Sequence, residues 1–144
     1  MLLLGVPIEN VPELTAQTYI PGGMTALYDA IAEGVRLASK DKTEDERVIC
    51  LMTDGEENSS RDQIRDIISG HEDRGDWTFI YIGEDPQRWT KETGMTSNHA
   101  IQYHHAQTNR NFVASSYAVT NFRQCLSKKG ENLFQGVDND IQNN

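Results

Sequence analysis

The chain of 144 residues has little of what marks a secreted, membrane-bound or disulfide-stapled protein. It has only two cysteines, Cys50 in an apolar run and Cys125 in a predicted helical stretch, which favours buried thiols over a disulfide framework. Its apolar runs are only a few residues long, so no transmembrane span is expected. The opening residues 1–6 are apolar but lack the basic region of a signal peptide. These absences predict a cytoplasmic protein.

Basic residues are also scarce, since 13 Lys and Arg stand against 22 Asp and Glu, for a formal net charge of −9. An acidic surface repels phosphate, so nucleic-acid binding is not expected. The charge suits a cation or a basic partner, although it also serves solubility alone. The length is enough for one domain with a real core.

Apolar residues alternate between helical spacing and continuous runs, which predicts helices alternating with buried strands. The predicted elements in chain order are a helix over Thr25–Ser39, a strand over Val48–Met52, a helix opening at the capping box Ser60–Gln63, a strand over Trp77–Ile82, a short helix from Pro86 to about Gly94, a third strand over Ala100–Tyr103 and a helix over Asn109–Ser127. The alternation predicts an α/β fold with a Rossmann-like parallel sheet flanked by helices. We expect one domain over residues 1–127, followed by a polar, disordered tail over residues 128–144.

Two motifs lie where such a sheet would bind a ligand. Residues 21–31 read Pro-Gly-Gly-Met-Thr-Ala-Leu-Tyr-Asp-Ala-Ile, and residues 53–60 read Thr-Asp-Gly-Glu-Glu-Asn-Ser-Ser. A hard divalent cation prefers oxygen ligands, and ligands of open α/β sheets gather at the carboxyl ends of strands. Thr25 and Asp54 are therefore the candidate metal ligands, with Gly22, Gly23 and Gly55 supporting the loops around the ion. The alternative is that Thr25 caps a helix and Asp54 only forms a turn.

These motifs, together with the later run Trp-Thr-Phe-Ile-Tyr-Ile-Gly at residues 77–83, resemble a bacterial and bacteriophage branch of the von Willebrand factor A domains. The resemblance runs from about Val6 to Arg123. It implies a divalent cation at the top of a parallel sheet, bound directly by Thr25 and through water by Asp54. The family's first motif, Asp-x-Ser-x-Ser, supplies most ligands from a central strand and has no match in this chain. The chain therefore resembles such a domain without its amino-terminal portion.

The resemblance implies a protein-interaction module with a partial, degenerate metal-ion-dependent adhesion site. Such a module would act as a homo-oligomer or with a partner chain that supplies the missing strands. Two ligands, where Mg²⁺ prefers about six, predict weak or no binding of Mg²⁺ or Mn²⁺ by the isolated chain.

Two other interpretations stay open. One is a metal-independent fragment that binds or interferes with another protein through an exposed sheet edge. The other is a metal-dependent hydrolase, although no nucleophile or base is positioned by a recognisable spacing, and no catalytic residue is assigned. His99, His104 and His105 are close in sequence, but the cysteine and carboxylate pattern of a zinc site is absent around them.

Overall fold

The computed structural model describes residues 6–13, 15–18, 26–40, 47–55, 64–124 and 131–137. Helices and strands alternate along these ranges. In chain order the elements are a short 3-10 helix (Ile8–Asn10), α1 (Leu27–Ala38), β1 (Arg47–Met52), α2 (Ile64–Arg74), β2 (Trp77–Gly83), α3 (Pro86–Thr93), a second 3-10 helix (Ser97–His99), β3 (Ala100–Gln102) and α4 (Thr108–Gln124). No helix in the described ranges combines the length and the apolar run needed to cross a membrane.

The three strands form one parallel sheet in the order β1-β2-β3. β1 and β2 pair along their whole length, from Arg47 opposite Trp77 to Met52 opposite Ile82, and β3 pairs with the last residues of β2. Parallel neighbours need a crossover connection, which α2 supplies between β1 and β2 and α3 supplies between β2 and β3. The predicted α/β class, with a parallel sheet flanked by helices, is therefore confirmed, and this arrangement is compatible with a Rossmann-like fold.

The central strand β2 is buried along its entire length and divides the core in two. Alternation sends Trp77, Phe79 and Tyr81 to one face and Ile80 and Ile82 to the other. The first core joins them to apolar residues of the helices α1, α2 and α3: Ile31, Val35, Ile64, Ile68 and Trp89. The second core is covered by α4, through Ala114, Ala118 and Phe122. Helices thus cover both faces of β2.

The segment 131–137 corrects the domain boundary expected at residue 127. Leu133, Phe134 and Val137 are buried in the second core, with exposed fractions of 0%, 8% and 1%. The Asn121 side chain on α4 donates hydrogen bonds to the carbonyls of Leu133 and Gln135, at 2.9 and 3.2 Å. This segment therefore belongs to the folded domain, because its three apolar side chains complete the cover over β2. The other tail residues lie outside the described ranges.

The ends of α3 follow from local sequence. Asp85 caps its start by accepting a hydrogen bond from the Arg88 amide at 2.9 Å, and Pro86 occupies the first turn. Gly94 ends the helix in the left-handed conformation, with φ of 74°. The predicted short helix is therefore confirmed. The capping box expected at Ser60–Gln63 lies outside the described residues.

Candidate functional site

Asp54 lies at the carboxyl end of β1, where the sequence placed it. The amide of the preceding Thr53 still donates to the carbonyl of Ile82 at 3.0 Å, so the strand ladder runs up to the turn. The Thr53 hydroxyl then accepts from the Gly55 amide at 3.2 Å and donates to the Gly55 carbonyl at 3.1 Å. This turn leaves the Asp54 side chain exposed and Gly55 half-buried. Asp54 is thus available to a ligand at the end of the sheet.

The remaining predicted metal-site residues, Thr25, Gly22 and Gly23, lie outside the described residues. The helix α1 begins just after them. Ala26 occupies its N-cap position, and no side chain there makes a capping hydrogen bond. Among the residues that are described, no three His, Cys, Asp or Glu side chains lie close enough together to hold a metal ion. Asp54 therefore lies at the predicted strand end, and its role as a metal ligand stays a prediction.

A cleft of about 250 Å³ opens at the same end of the sheet, between α1, the end of β2 and α3. Its lining combines aromatic and charged residues: Leu27, Tyr28, Gly55, Tyr81, Glu84, Asp85, Arg88, Trp89 and Glu92. Tyr81 and Trp89 stack almost parallel, with ring centroids 4.4 Å apart, and Tyr28 packs against Trp89 at 5.6 Å. Nothing in the sequence marked this cleft beyond the Arg88–Glu92 spacing of one helical turn, because its rings come from three separate elements.

Two of the carboxylates that line the cleft are held by neighbouring groups. Glu92 accepts hydrogen bonds from Arg88 Nε at 2.9 Å and from the Tyr28 hydroxyl at 3.1 Å. The Arg88 hydrogen bond is the main cause that lowers the pKa of Glu92, against a smaller opposing effect of burial. Asp85 is engaged in capping α3. Glu92 and Asp85 therefore serve within the fold as hydrogen-bond acceptors.

The histidines singled out in the sequence have different environments. His99 is 3% exposed, and its Nδ1 lies 3.7 Å from Glu72 Oε1. The backbone of His104 is held at both its amide and its carbonyl by the side chain of Asn111, at 3.0 Å each. His105 is exposed, with its Nε2 3.5 Å from Glu84 Oε1. One ring is therefore buried inside the fold and another faces solvent, which does not favour a shared zinc site.

The backbone of β1 has one side bonded to β2 and one side directed outward. The Arg47 amide donates to the carbonyl of Asp76, just before β2, at 3.2 Å, and the Thr53 amide donates to the carbonyl of Ile82 in β2 at 3.0 Å. Since successive residues of a strand point their backbone groups to opposite sides, the N–H and C=O groups of Val48, Cys50 and Met52 face away from β2. Within the described part of the chain, no strand pairs with this outer edge.

The side chains of β1 are apolar on both faces of the sheet but only partly covered. Ile49 and Leu51 pack on the first core, and Val48 packs on the second. Cys50 and Met52 share the face of Val48 and are exposed, Met52 at 36%. The strand was predicted to be buried on both faces, and the structure corrects this. Among the described strands, β2 has a neighbour on each side, whereas β1 has one only on its inner side.

The Cys50 thiol is directed against α4, although the residue as a whole is exposed. Its sulfur lies 3.4 Å from the hydroxyl of Ser115. Burial of the sulfur raises the pKa of the Cys50 thiol, and the hydrogen bond to Ser115 offsets only part of this effect. Cys50 is therefore a protonated, weakly nucleophilic thiol near neutral pH and not a catalytic nucleophile.

Comparison with known protein-family models, curated proteins and solved structures finds no match to this chain.

Proposed function

We propose that this chain is a cytoplasmic protein-interaction module of the von Willebrand factor A type, which completes its sheet with a strand from another polypeptide. One observation carries the proposal. β1 has the apolar, two-faced composition of an interior parallel strand, yet Cys50 and Met52 are exposed beside its outer edge. An assembly that adds a strand there would cover both side chains and satisfy the outward backbone groups.

The composition of β1 favours the addition of a strand rather than an edge that stays permanently unpaired. Proteins that keep an edge strand in water usually place Lys, Pro or an inward charge on it. From Val48 to Met52 the strand carries no charge and no proline. An unpaired, uncharged edge is a template for another strand, with backbone hydrogen bonds for affinity and side chains on both faces for specificity.

The resemblance to von Willebrand factor A domains fits this arrangement. In that family the Asp-x-Ser-x-Ser motif lies on a central strand, and residues 1–144 contain no match to it, so a strand from another polypeptide could pair with the outer edge of β1. Asp54 follows the strand that has the open edge, at the end of the sheet where the family holds its cation. On this proposal the partner strand extends the sheet beside β1, and any metal ligand beyond Thr25 and Asp54 comes from the partner.

Residue-resolved hydrogen exchange tests the edge directly. At micromolar concentration or above, we expect the outward amides of Val48, Cys50 and Met52 to be protected, and this protection to fall on dilution. The amides of Ile49 and Leu51 bond to β2 and serve as the internal control, with protection that does not change with concentration. Fast exchange of the outward amides at every concentration would contradict self-assembly through this edge. Full protection that persists on dilution would mean that the chain covers its own edge.

Calorimetric titration with Mg²⁺ and Mn²⁺ tests the metal part of the proposal. We expect weak or no binding by the isolated chain, because the predicted set has only two ligands where about six are preferred. Asp54→Ala is the informative variant, and Asp66→Ala on α2 is the matched control. Micromolar affinity that Asp54→Ala abolishes and Asp66→Ala leaves intact would show that this chain contains further ligands.

A further inference from the structure

We infer that the strand that pairs with β1 is β1 of a second copy, running antiparallel about a twofold axis at Cys50. The inference rests on the proposed function and names its partner and its register. The two parallel sheets would then join edge to edge into one sheet in the order β3-β2-β1-β1-β2-β3.

The outward backbone groups have the symmetry that such a pair needs. They belong to Val48, Cys50 and Met52, so the middle residue of the set is Cys50. In an antiparallel pair centred there, each Cys50 exchanges its N–H and C=O bonds with the other Cys50. Val48 of each copy does the same with Met52 of the other. Every outward donor and acceptor of the apolar part of β1 therefore finds a partner.

The side chains favour the same register. Opposite residues of an antiparallel pair lie on one face of the sheet, so the register sets Val48 against Met52, Ile49 against Leu51 and Cys50 against Cys50. All of these pairs are apolar. Moving the axis by one residue to Ile49 would set Leu51 against the charged Arg47 instead. An axis at Cys50 thus pairs the apolar run with itself.

The exposed face of β1 gives the pairing its apolar contribution. Cys50 and Met52 are uncovered on the face that α4 only partly spans. A twofold contact is self-complementary, so each copy would place its own Cys50 and Met52 beside those of the other. The contact would bury these side chains from both copies at once, in addition to satisfying the backbone groups.

Thiol cross-linking tests the register. Residues that form a hydrogen-bonded antiparallel pair have Cα atoms about 5.5 Å apart, within the range of roughly 4.4–6.8 Å that disulfides span. In a Cys125→Ser variant, mild oxidation at alkaline pH should therefore link Cys50 to Cys50 and give a covalent dimer on a non-reducing gel. The control carries Cys125→Ser, Cys50→Ser and Phe112→Cys, which moves the only thiol to an exposed position on α4.

We expect the Cys50 dimer to form more than about tenfold faster than the Phe112→Cys dimer, because paired thiols have an effective concentration far above the protein concentration. Light scattering on the reduced samples separates the possible failures. A dimer whose Cys50 cross-links no faster than the control would overturn the register and leave the proposed function standing. A monomer without cross-linking would overturn both. Circular dichroism verifies that each variant is folded.

Discussion

Among the glycines that the structure describes, Gly83 is one where an added methyl group should have a large local effect. It ends β2 beside the ring of Tyr81, and a Cβ at position 83 would clash with Tyr81 Cζ. That ring stacks on Trp89 and forms one wall of the cleft. The absence of a side chain at Gly83 therefore lets the aromatic stack form.

We predict that Gly83→Ala destabilises the fold by about 1–3 kcal/mol, the usual cost of overpacking a core. Gly34→Ala is the matched control, because no atom lies within 4 Å of the added Cβ. It replaces a glycine inside α1 and should stabilise the fold by roughly 0.5–1 kcal/mol. Urea denaturation of the three proteins measures both changes. Equal stability of Gly83→Ala and the parent would show that the Tyr81 ring has room to move.

Asp76, which lies just before β2, makes the stability of the fold depend on pH in the acidic range. Its Oδ1 lies 3.0 Å from His71 Nδ1, and its Oδ2 lies 3.5 Å from Arg74 Nε. Burial raises the pKa of Asp76. The hydrogen bond and charge of His71, together with the charge of Arg74, lower this pKa by more, so the net shift is downward. A carboxyl group with a lowered folded pKa stabilises the protein above its unfolded pKa, and this contribution is lost as pH falls.

We therefore predict that Asp76→Asn costs at most about 1 kcal/mol at pH 7, since the Asp76 side chain is 43% exposed and its ion pairs are screened. The difference between parent and variant should shrink as the pH falls below about 4, the unfolded pKa of aspartate. Urea denaturation at several pH values tests this. A difference that grows with falling pH would show that the ion pairs do not stabilise the fold.

The 131–137 segment is the element whose contribution was least visible in the sequence. Leu133 is fully buried against the second core, whereas its neighbour Gln135 is exposed. We predict that Leu133→Ala destabilises the protein by about 2–5 kcal/mol, because it leaves a cavity between α4 and β2. Gln135→Ala should change stability by less than about 0.5 kcal/mol. Thermal unfolding measures the pair. Similar melting temperatures for both variants would mean that the segment is not part of the cooperative unit.

The sequence pattern predicted the helices and strands whose signals lie in neighbouring residues. The apolar run of β2 and the Pro86 and Gly94 boundaries of α3 depend on neighbouring residues, and the structure confirms them. The segment 131–137 was missed because its apolar residues are few and lie in a polar stretch. Partial burial of β1 could not be predicted either, since burial depends on how many strands flank a strand.

The candidate site shows the same division between local and long-range information. The turn after β1 follows from Thr53, Asp54 and Gly55, and the structure places Asp54 at the strand end as expected. The stack of Tyr81 on Trp89 joins β2 to α3, and no local pattern encodes that contact. Thr25, the second predicted ligand, lies outside the described residues, so its role stays a prediction.

At the scale of the whole molecule, the described sheet has only three strands, with β1 along one edge. Small parallel sheets are normally buried on both faces and rarely keep an apolar edge strand in water. Assembly through β1 would pair its outward backbone groups and cover Cys50 and Met52, so the central claim is that the chain does not act as a lone monomer.

Light scattering coupled to size exclusion, at low micromolar concentration, tests that claim most directly. The parent chain should have at least twice its monomer mass of 16.2 kDa. Met52→Lys, which places a charge beside the outer edge of β1, should shift it to the monomer. Phe112→Lys, which removes a 60% exposed apolar side chain on α4, should leave the assembly unchanged. A parent chain that is a stable monomer, or an assembly that Phe112→Lys disrupts and Met52→Lys does not, would contradict the account.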